Sequence, residues 1–495
     1  MRTDPPPGRA RTRRRRTRVT DALALETAGD LALVRDPAHG LSVTVRRGLE
    51  GAPVPEWRAL AARAGQPPFT GPDWLRAVHT HLGAGEPLLV SVRRDGRLLA
   101  LGAFTVLLGS RPLLTFLGAG ASDYAAVLAD PDAGVPTSRL VAAVVDGALR
   151  EVPGALLDLE QVPAEGELPG LVAEWARARG YTVRTLRQAT VHALPLPATV
   201  EEHDTRLRRH ARHEERRQWR RLAELGDLVV VDDLLHDVAE LRERDPDAAA
   251  DHLDELVAEL AEVDDAHPRA AHRRRPWRGA SGRTLTEVLR TTPPGVVQLS
   301  GLRLDGELVA YAFCLAGPTA LHGYVQSYRA RYAATGPGTL LLLRIRRRAL
   351  VSGYRELDLL RGDEAYKRRL DPTTRHTVRL LLAPATREPL PALVDRVSLL
   401  RRSYRDELRR HERIGRGVDA VSGAAERVLG DLARRRAALP RPALPRPALP
   451  TRGRAKPKPP APELPTPKPL ASKLPTPKLP APRWPGAARK LLRRR

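Results

Sequence analysis

The stretch 355–367 concentrates the groups in this chain that can do chemistry. It opens as a short apolar run carrying two acids, Glu356 and Asp358, which the two-residue period of a strand places on one face. The run breaks at Gly362 and then supplies Asp363, Glu364, Tyr366 and Lys367 within five residues. Lys367 is the only lysine before residue 456, and the other six all follow it. A chain that otherwise writes its positive charge as arginine has a reason to change here. A guanidinium is a planar fork, whereas an ammonium is a compact point charge that can also lose its proton. A lysine stem laid over apolar surface would account for it as well, and the sequence leaves both readings open.

The elements just upstream would position this stretch. Residues 321–328 alternate, so His322, Tyr324, Gln326 and Tyr328 are expected on one face and Leu321, Gly323, Val325 and Ser327 on the other. A polar aromatic face suits a cleft wall or a solvent-facing strand. Next come Gly336, Pro337, Gly338, Thr339 and Leu340, opening a helix in which Leu341, Leu342, Ile345 and Ala349 form an apolar stripe opposite Arg344, Arg347 and Arg348. A strand feeding a glycine turn at a helix start can cradle a phosphate, because unpaired N–H groups and the positive end of the helix dipole converge there. A plain turn is the alternative.

Composition narrows the class. The 495 residues leave room for two or three domains with proper cores. The formal charge of +25 resembles that of a nucleic-acid protein, but residues 1–19 carry +7 and residues 438–495 carry +14, leaving +4 for the body. The basicity therefore belongs to the ends. A single cysteine, Cys314, excludes an internal disulfide framework and a multi-cysteine metal site. Charge interrupts the segment after the N-terminal arginines too early for a signal peptide, and no apolar run reaches membrane-spanning length. A soluble, cytoplasmic protein is expected, with the basic tails free to contact an anionic membrane surface or nucleic acid.

Taken in order, the chain reads as the same unit twice. Trp57, Leu60 and Ala61 fall at helical spacing, and Phe69, Trp74 and Leu75 continue the helical region past a Pro-Pro break. Apolar runs on either side of Asp95-Gly96 predict a tight hairpin, since that turn needs positive φ at both central residues. A further strand leads to Ser122, Asp123 and Tyr124, then a helix near 138–150 and the strand around Asp158. The second half repeats this with a hairpin at Asp305-Gly306, the helix after Gly338 and the strand around Asp358. The shared order argues for an internal duplication. The expected divisions are a disordered basic arm at 1–40, two halves at 41–197 and 198–385, a helical extension at 386–437 and a disordered Pro-rich basic tail at 438–495. A basic helix at 207–222 joins the halves, as a solvated face of Glu–Arg pairs or as an anion-binding face. His210 and His213 have metal-ligand spacing, but no third ligand is placed and His-Glu-x-x-His fails at Arg217, so no metal is expected.

The Gly336-Pro337-Gly338-Thr339 helix start, the Leu357-Asp358-Leu359 strand and the run Gly362-Asp363-Glu364 followed by Tyr366-Lys367 resemble the GNAT-fold acyltransferases of the CelD/BcsL (BioF2-like) group. The upstream Ser122-Asp123-Tyr124 and the Trp57, Phe69, Trp74 opening fit the same group, over roughly residues 50–385. The resemblance implies an α/β (α+β) fold of two tandem GNAT-like domains, each a mostly antiparallel mixed sheet flanked by helices. It further implies transfer of an acyl group from acetyl-CoA or another acyl-CoA to an amine of a sugar, envelope or exopolysaccharide precursor. Coenzyme A would lie at Gly336, Gly338, Thr339 and Leu340. The family's phosphate loop carries Gln or Arg where this chain has Ala333. Amine acylation needs a base and a proton donor for the leaving thiolate. Asp358 or Glu364 is the expected base, Tyr366 the acid, and Lys367 the group fixing an anion, with Asp123, Tyr124, Tyr324 and Tyr328 toward the acceptor. An aminoacyl-tRNA-dependent cell-wall transferase and a non-catalytic polymer-binding scaffold remain the alternatives.

Overall fold

The computed structural model describes residues 31–385 except 37–39, 84, 109–111, 203–208, 271–274 and 371. The extension expected at 386–437, the tail at 438–495 and residues 1–30 of the expected arm lie outside the described residues. Within that arm, residues 31–36 form a strand.

The first half runs β1 (Leu31–Asp36), β2 (Leu41–Arg47), α1 (Val54–Arg63), α2 (Pro72–Leu82), β3 (Glu86–Arg94), β4 (Arg97–Leu107), β5 (Leu113–Phe116), the short β6 (Leu128–Ala129), α3 (Thr137–Glu151), β7 (Leu156–Pro163), α4 (Leu168–Arg179) and β8 (Tyr181–Pro195). The second runs α5 (Arg209–Ala223), β9 (Leu228–Val231), α6 (His236–Arg244), α7 (Pro246–Asp265), α8 (Gly279–Thr291), β10 (Val297–Leu304), β11 (Glu307–Ala316), β12 (Ala320–Tyr328), α9 (Pro337–Val351), β13 (Glu356–Arg361), α10 (Ala365–Arg368) and β14 (Thr373–Pro384). Both predicted hairpins form. Asp95 and Gly96 adopt φ of 52° and 81°, and Asp305 and Gly306 adopt 50° and 81°, the paired positive values the tight turn requires.

The fourteen strands of the described residues join one sheet, ordered β1-β2-β3-β4-β5-β7-β14-β8-β13-β12-β11-β10-β9, with β6 beside β4. Among the strands of the described residues, β5–β7 and β12–β13 pair in parallel, and each of these pairs is connected through a helix, α3 or α9, as a parallel crossover demands. The centre of the sheet holds a reciprocal exchange. β8 ends the first half yet lies between β13 and β14, while β14 ends the second half yet lies between β7 and β8. The sheet is therefore continuous across position 197/198, the expected division between the two halves.

Helices cover both faces of this sheet, so β3, β4 and β11 are buried almost along their whole length rather than on alternate residues. On one face α1, α2, α7 and α8 bury Trp57, Phe69, Trp74 and Trp277 against Leu101, Tyr311 and Phe313. On the other, α3 and α4 pack Val144, Val145 and Trp175 over the first half, and α9 packs Leu341 and Ile345 over the second. Each fully buried large apolar side chain contributes about 1.5–3 kcal/mol of transfer free energy. No helix among the described residues is long and apolar enough to cross a membrane.

Candidate active site

β12 and β13 pair over only three residues: Ala320 with Glu356, Leu321 with Leu357, and His322 with Asp358. Past these pairs both strands bulge. On β12, Phe313 faces Val325 while Cys314 faces Gly323, so Tyr324 is an extra residue in the ladder. On β13, Asp358 faces Ala193 while Arg361 already faces Val191, and Leu360 takes φ 61° to accommodate the slip. The strands part at His322 and Asp358.

The β12 bulge corrects the expectation that His322, Tyr324, Gln326 and Tyr328 share a face. An extra residue inverts the alternation beyond it. His322 and Tyr324 stay on the face of Phe69, whose ring centroid lies 5.9 and 5.7 Å from theirs. Gln326 instead follows Ala312, and Tyr328 packs with the α9 core on the opposite face.

Asp358 is 2% exposed and carries the polar centre of this junction. Its Oδ2 accepts a 2.6 Å hydrogen bond from Tyr124 Oη, and its Oδ1 accepts one of 2.7 Å from the Leu360 N–H that the bulge turns inward. His322 Nδ1 stands 3.5 Å from Oδ2, without a hydrogen bond. Burial opposes the carboxylate charge, but His322, the Tyr124 hydroxyl and the Leu360 N–H outweigh it, so Asp358 lies below its ordinary value. Burial, with the neighbouring carboxylate added, pushes the Tyr124 phenol well up, so it remains a proton donor at neutral pH. The loop bearing Tyr124 is fixed from both sides. Trp74 Nε1 donates to Ser122 Oγ at 3.0 Å, and Asp123, 7% exposed, pairs with Arg361.

These groups open onto a cleft of about 690 Å³, solvent at its mouth included, lined among others by Tyr124, Glu165, Val191, His322, Glu356, Asp358, Arg375 and His376. The expected Glu364, Tyr366 and Lys367 are not among its lining residues. Lys367 is 3% exposed and turns its Nζ to the carbonyls of Arg361 at 2.8 Å and Leu360 at 3.4 Å and to Glu364 Oε2 at 2.9 Å. It thus holds the bulge that supplies Asp358 with its backbone donor. Glu364 is exposed, and Tyr366 packs half-buried against the α9 core.

At the far end of β12, Gly336 takes the left-handed φ of 66° and caps α9, with Pro337 in its first turn. A Cβ at Gly338 would meet the Tyr328 ring at 3.0 Å, so the glycine lets strand end and helix start approach. Leu340 is buried, Thr339 is exposed, and Gln218 of α5 stands against Gly336.

The internal repeat shows why the two halves differ. Thr115 and Asp158 are the last pair of β5–β7, as His322 and Asp358 are of β12–β13. Gln161, with φ 58°, forms the matching bulge. Arg379 Nε and the guanidinium's second nitrogen donate to the two Asp158 oxygens at 2.6 and 2.8 Å. Two residues before the Asp158 partner Leu381 stands Arg379; two residues before the Asp358 partner Ala193 stands Val191. The first carboxylate is neutralised by an arginine and the second faces the cleft. Arg375, Glu165 and His376 went unmarked in the sequence because they come from β14 and the β7–α4 loop, and only the strand exchange brings them to Asp358.

A family model described as an acetyltransferase (GNAT) domain matches residues 209–368. No curated protein matches the sequence. Among solved structures, the chain is similar to the C-terminal DUF2156 domain of an Agrobacterium fabrum protein named for lysylphosphatidylglycerol synthetase, at 14% identity and TM-score 0.41, over 70% of this chain and 94% of that one. It is similar to FemX at 11% identity and TM-score 0.39, over 66% of this chain and 95% of that one. It is also similar to a tandem GNAT protein from the clavulanic acid biosynthesis pathway, at 15% identity and TM-score 0.35, over 70% of this chain and 100% of that one. The family model's match falls within the second half of a mixed α/β fold whose large sheet is flanked by helices.

Proposed function

We propose that this protein is an acyl-CoA-dependent N-acyltransferase of tandem GNAT type, akin to the CelD/BcsL group, with the reacting amine in the Asp358 cleft. The observation that carries the reading is the buried carboxylate of Asp358, with no arginine salt bridge among the described residues, at the point where β12 and β13 part. The acyl-CoA enters from the separated strand ends, its phosphates at Gly336–Thr339, where Gln218 supplies a polar side chain that Ala333 lacks. Asp358, directly or through a water, takes a proton from the acceptor ammonium. The freed amine attacks the thioester carbonyl; the C–N bond forms and the C–S bond breaks. The nitrogen then sheds its second proton and the departing thiolate gains one, giving amide, free coenzyme A and one net proton. Tyr124 donates toward Asp358, and Lys367 keeps the bulge in place; Glu364 and Tyr366 support Lys367 and the α9 core.

Calorimetric titration of the full chain with acetyl-CoA tests this. Binding is expected, and Gly338→Val should abolish it while the variant stays folded by circular dichroism. Unchanged binding by folded Gly338→Val would displace the cofactor site. A second reading has an aminoacyl-tRNA as donor, favoured by the exposed Arg216, Arg217, Arg220 and Arg221 of α5, the helix against Gly336. Salt-sensitive tRNA binding without acetyl-CoA binding would select it.

A further inference from the structure

We infer that the acceptor is a dication, a molecule bearing a second ammonium besides the one that reacts, and that Glu165 is the specificity-determining residue for it. This rests on the reading of the cleft as the acceptor site. The cleft is acidic within a body that carries +4 outside the basic ends: three carboxylates, Glu165, Glu356 and Asp358, line it against one permanent cation, Arg375. Two of these groups cancel. Arg375 holds Glu356 through two hydrogen bonds of 2.9 and 2.6 Å, leaving that pair neutral. Among the described residues Asp358 has no salt bridge to arginine or lysine; it meets the Tyr124 hydroxyl, the Leu360 N–H and the His322 imidazole. Glu165 touches only the edge of Arg375, at 3.8 Å, and two thirds of its side chain is exposed. Two negative charges thus remain, one deep and one at the mouth.

His322 adds a polar group beside the deep carboxylate, its Nδ1 3.5 Å from Asp358 Oδ2. The imidazole is 3% exposed, lines the same cleft, and its Nδ1 has no hydrogen bond. An acceptor ammonium beside Asp358 and His322 meets the deep carboxylate, with its second charge answered by Glu165. An acceptor carrying a carboxylate near its amine would meet Glu165 unfavourably, since Arg375 is already engaged.

Titrating the full chain by calorimetry with 1,4-diaminobutane and with 1-aminobutane at low salt tests the inference without needing turnover. The diamine is expected to bind at least about tenfold more tightly, the gain of one charge-assisted contact. Glu165→Gln should erase that preference, and Glu167→Gln, a neighbouring exposed carboxylate, should keep it. Equal affinity for the two amines overturns the proposal, as does a preference that survives Glu165→Gln or disappears equally in Glu167→Gln. The acetyl-CoA titration is a separate measurement: its failure would remove the acyltransferase reading, whereas the diamine result concerns the acceptor alone.

Discussion

Tyr124 Oη and Asp358 Oδ2 lie 234 positions apart in the chain and 2.6 Å apart in space, joined across the two halves of the sheet. The bond favours the charged form of Asp358, whose folded value lies below the ordinary 3.8. A depressed carboxylate stabilises the fold fully above its unfolded value and loses that contribution as pH falls through the folded one. Tyr124→Phe should therefore cost about 1–3 kcal/mol at pH 7, with the deficit shrinking as the pH drops below the ordinary aspartate range. Urea midpoints of parent and variant between pH 2 and 7 measure this. A deficit independent of pH would mean that the hydroxyl matters for packing and not for the charge.

Lys367→Arg probes the latch on the bulge. One ammonium satisfies two carbonyls and Glu364 in a buried place, and the larger fork cannot put a single charged point there. Overpacking should cost about 1–3 kcal/mol. Displacing the Leu360 N–H, and with it Asp358, by about 1 Å should lower turnover on the order of a hundredfold. Near-parental turnover would show that the bulge holds without the lysine.

The Arg379–Asp158 pair should matter for folding and not for chemistry. Asp158 is fully buried and Arg379 nearly so, and removing one partner of such a pair costs about 3–5 kcal/mol. Arg379→Met should destabilise by that amount, and Asp158→Asn added to it should restore part of the loss. A double variant no more stable than Arg379→Met would contradict the stranded-charge explanation.

Acyl transfer should be direct. Cys314 is buried in β11, and burial pushes its thiol up to about 12, leaving almost no thiolate at neutral pH. Cys314→Ala should keep its turnover; a folded but inactive variant would require a covalent cysteine intermediate.

By itself the sequence determined the local parts. Asp-Gly at 95–96 and 305–306 specified both hairpins, because few other pairs tolerate two positive φ values in succession. Trp57, Leu60 and Ala61 specified the buried face of α1, and the repeated strand–turn–helix–strand order declared the duplication. It also singled out Asp358 through the acids alternating on β13, and Lys367 through its rarity in an arginine-rich chain. The tertiary structure decided what those residues meet. Bulges carry no fixed residue signature, so the inversion that sends Tyr328 away from His322 was invisible in a regular alternation. The exchange of β8 and β14 is a pairing of distant segments, settled by burial of whole strands and not by any local pattern. That exchange sets Arg379 on Asp158, leaves Val191 near Asp358, and brings Glu165 and Arg375 to the same cleft.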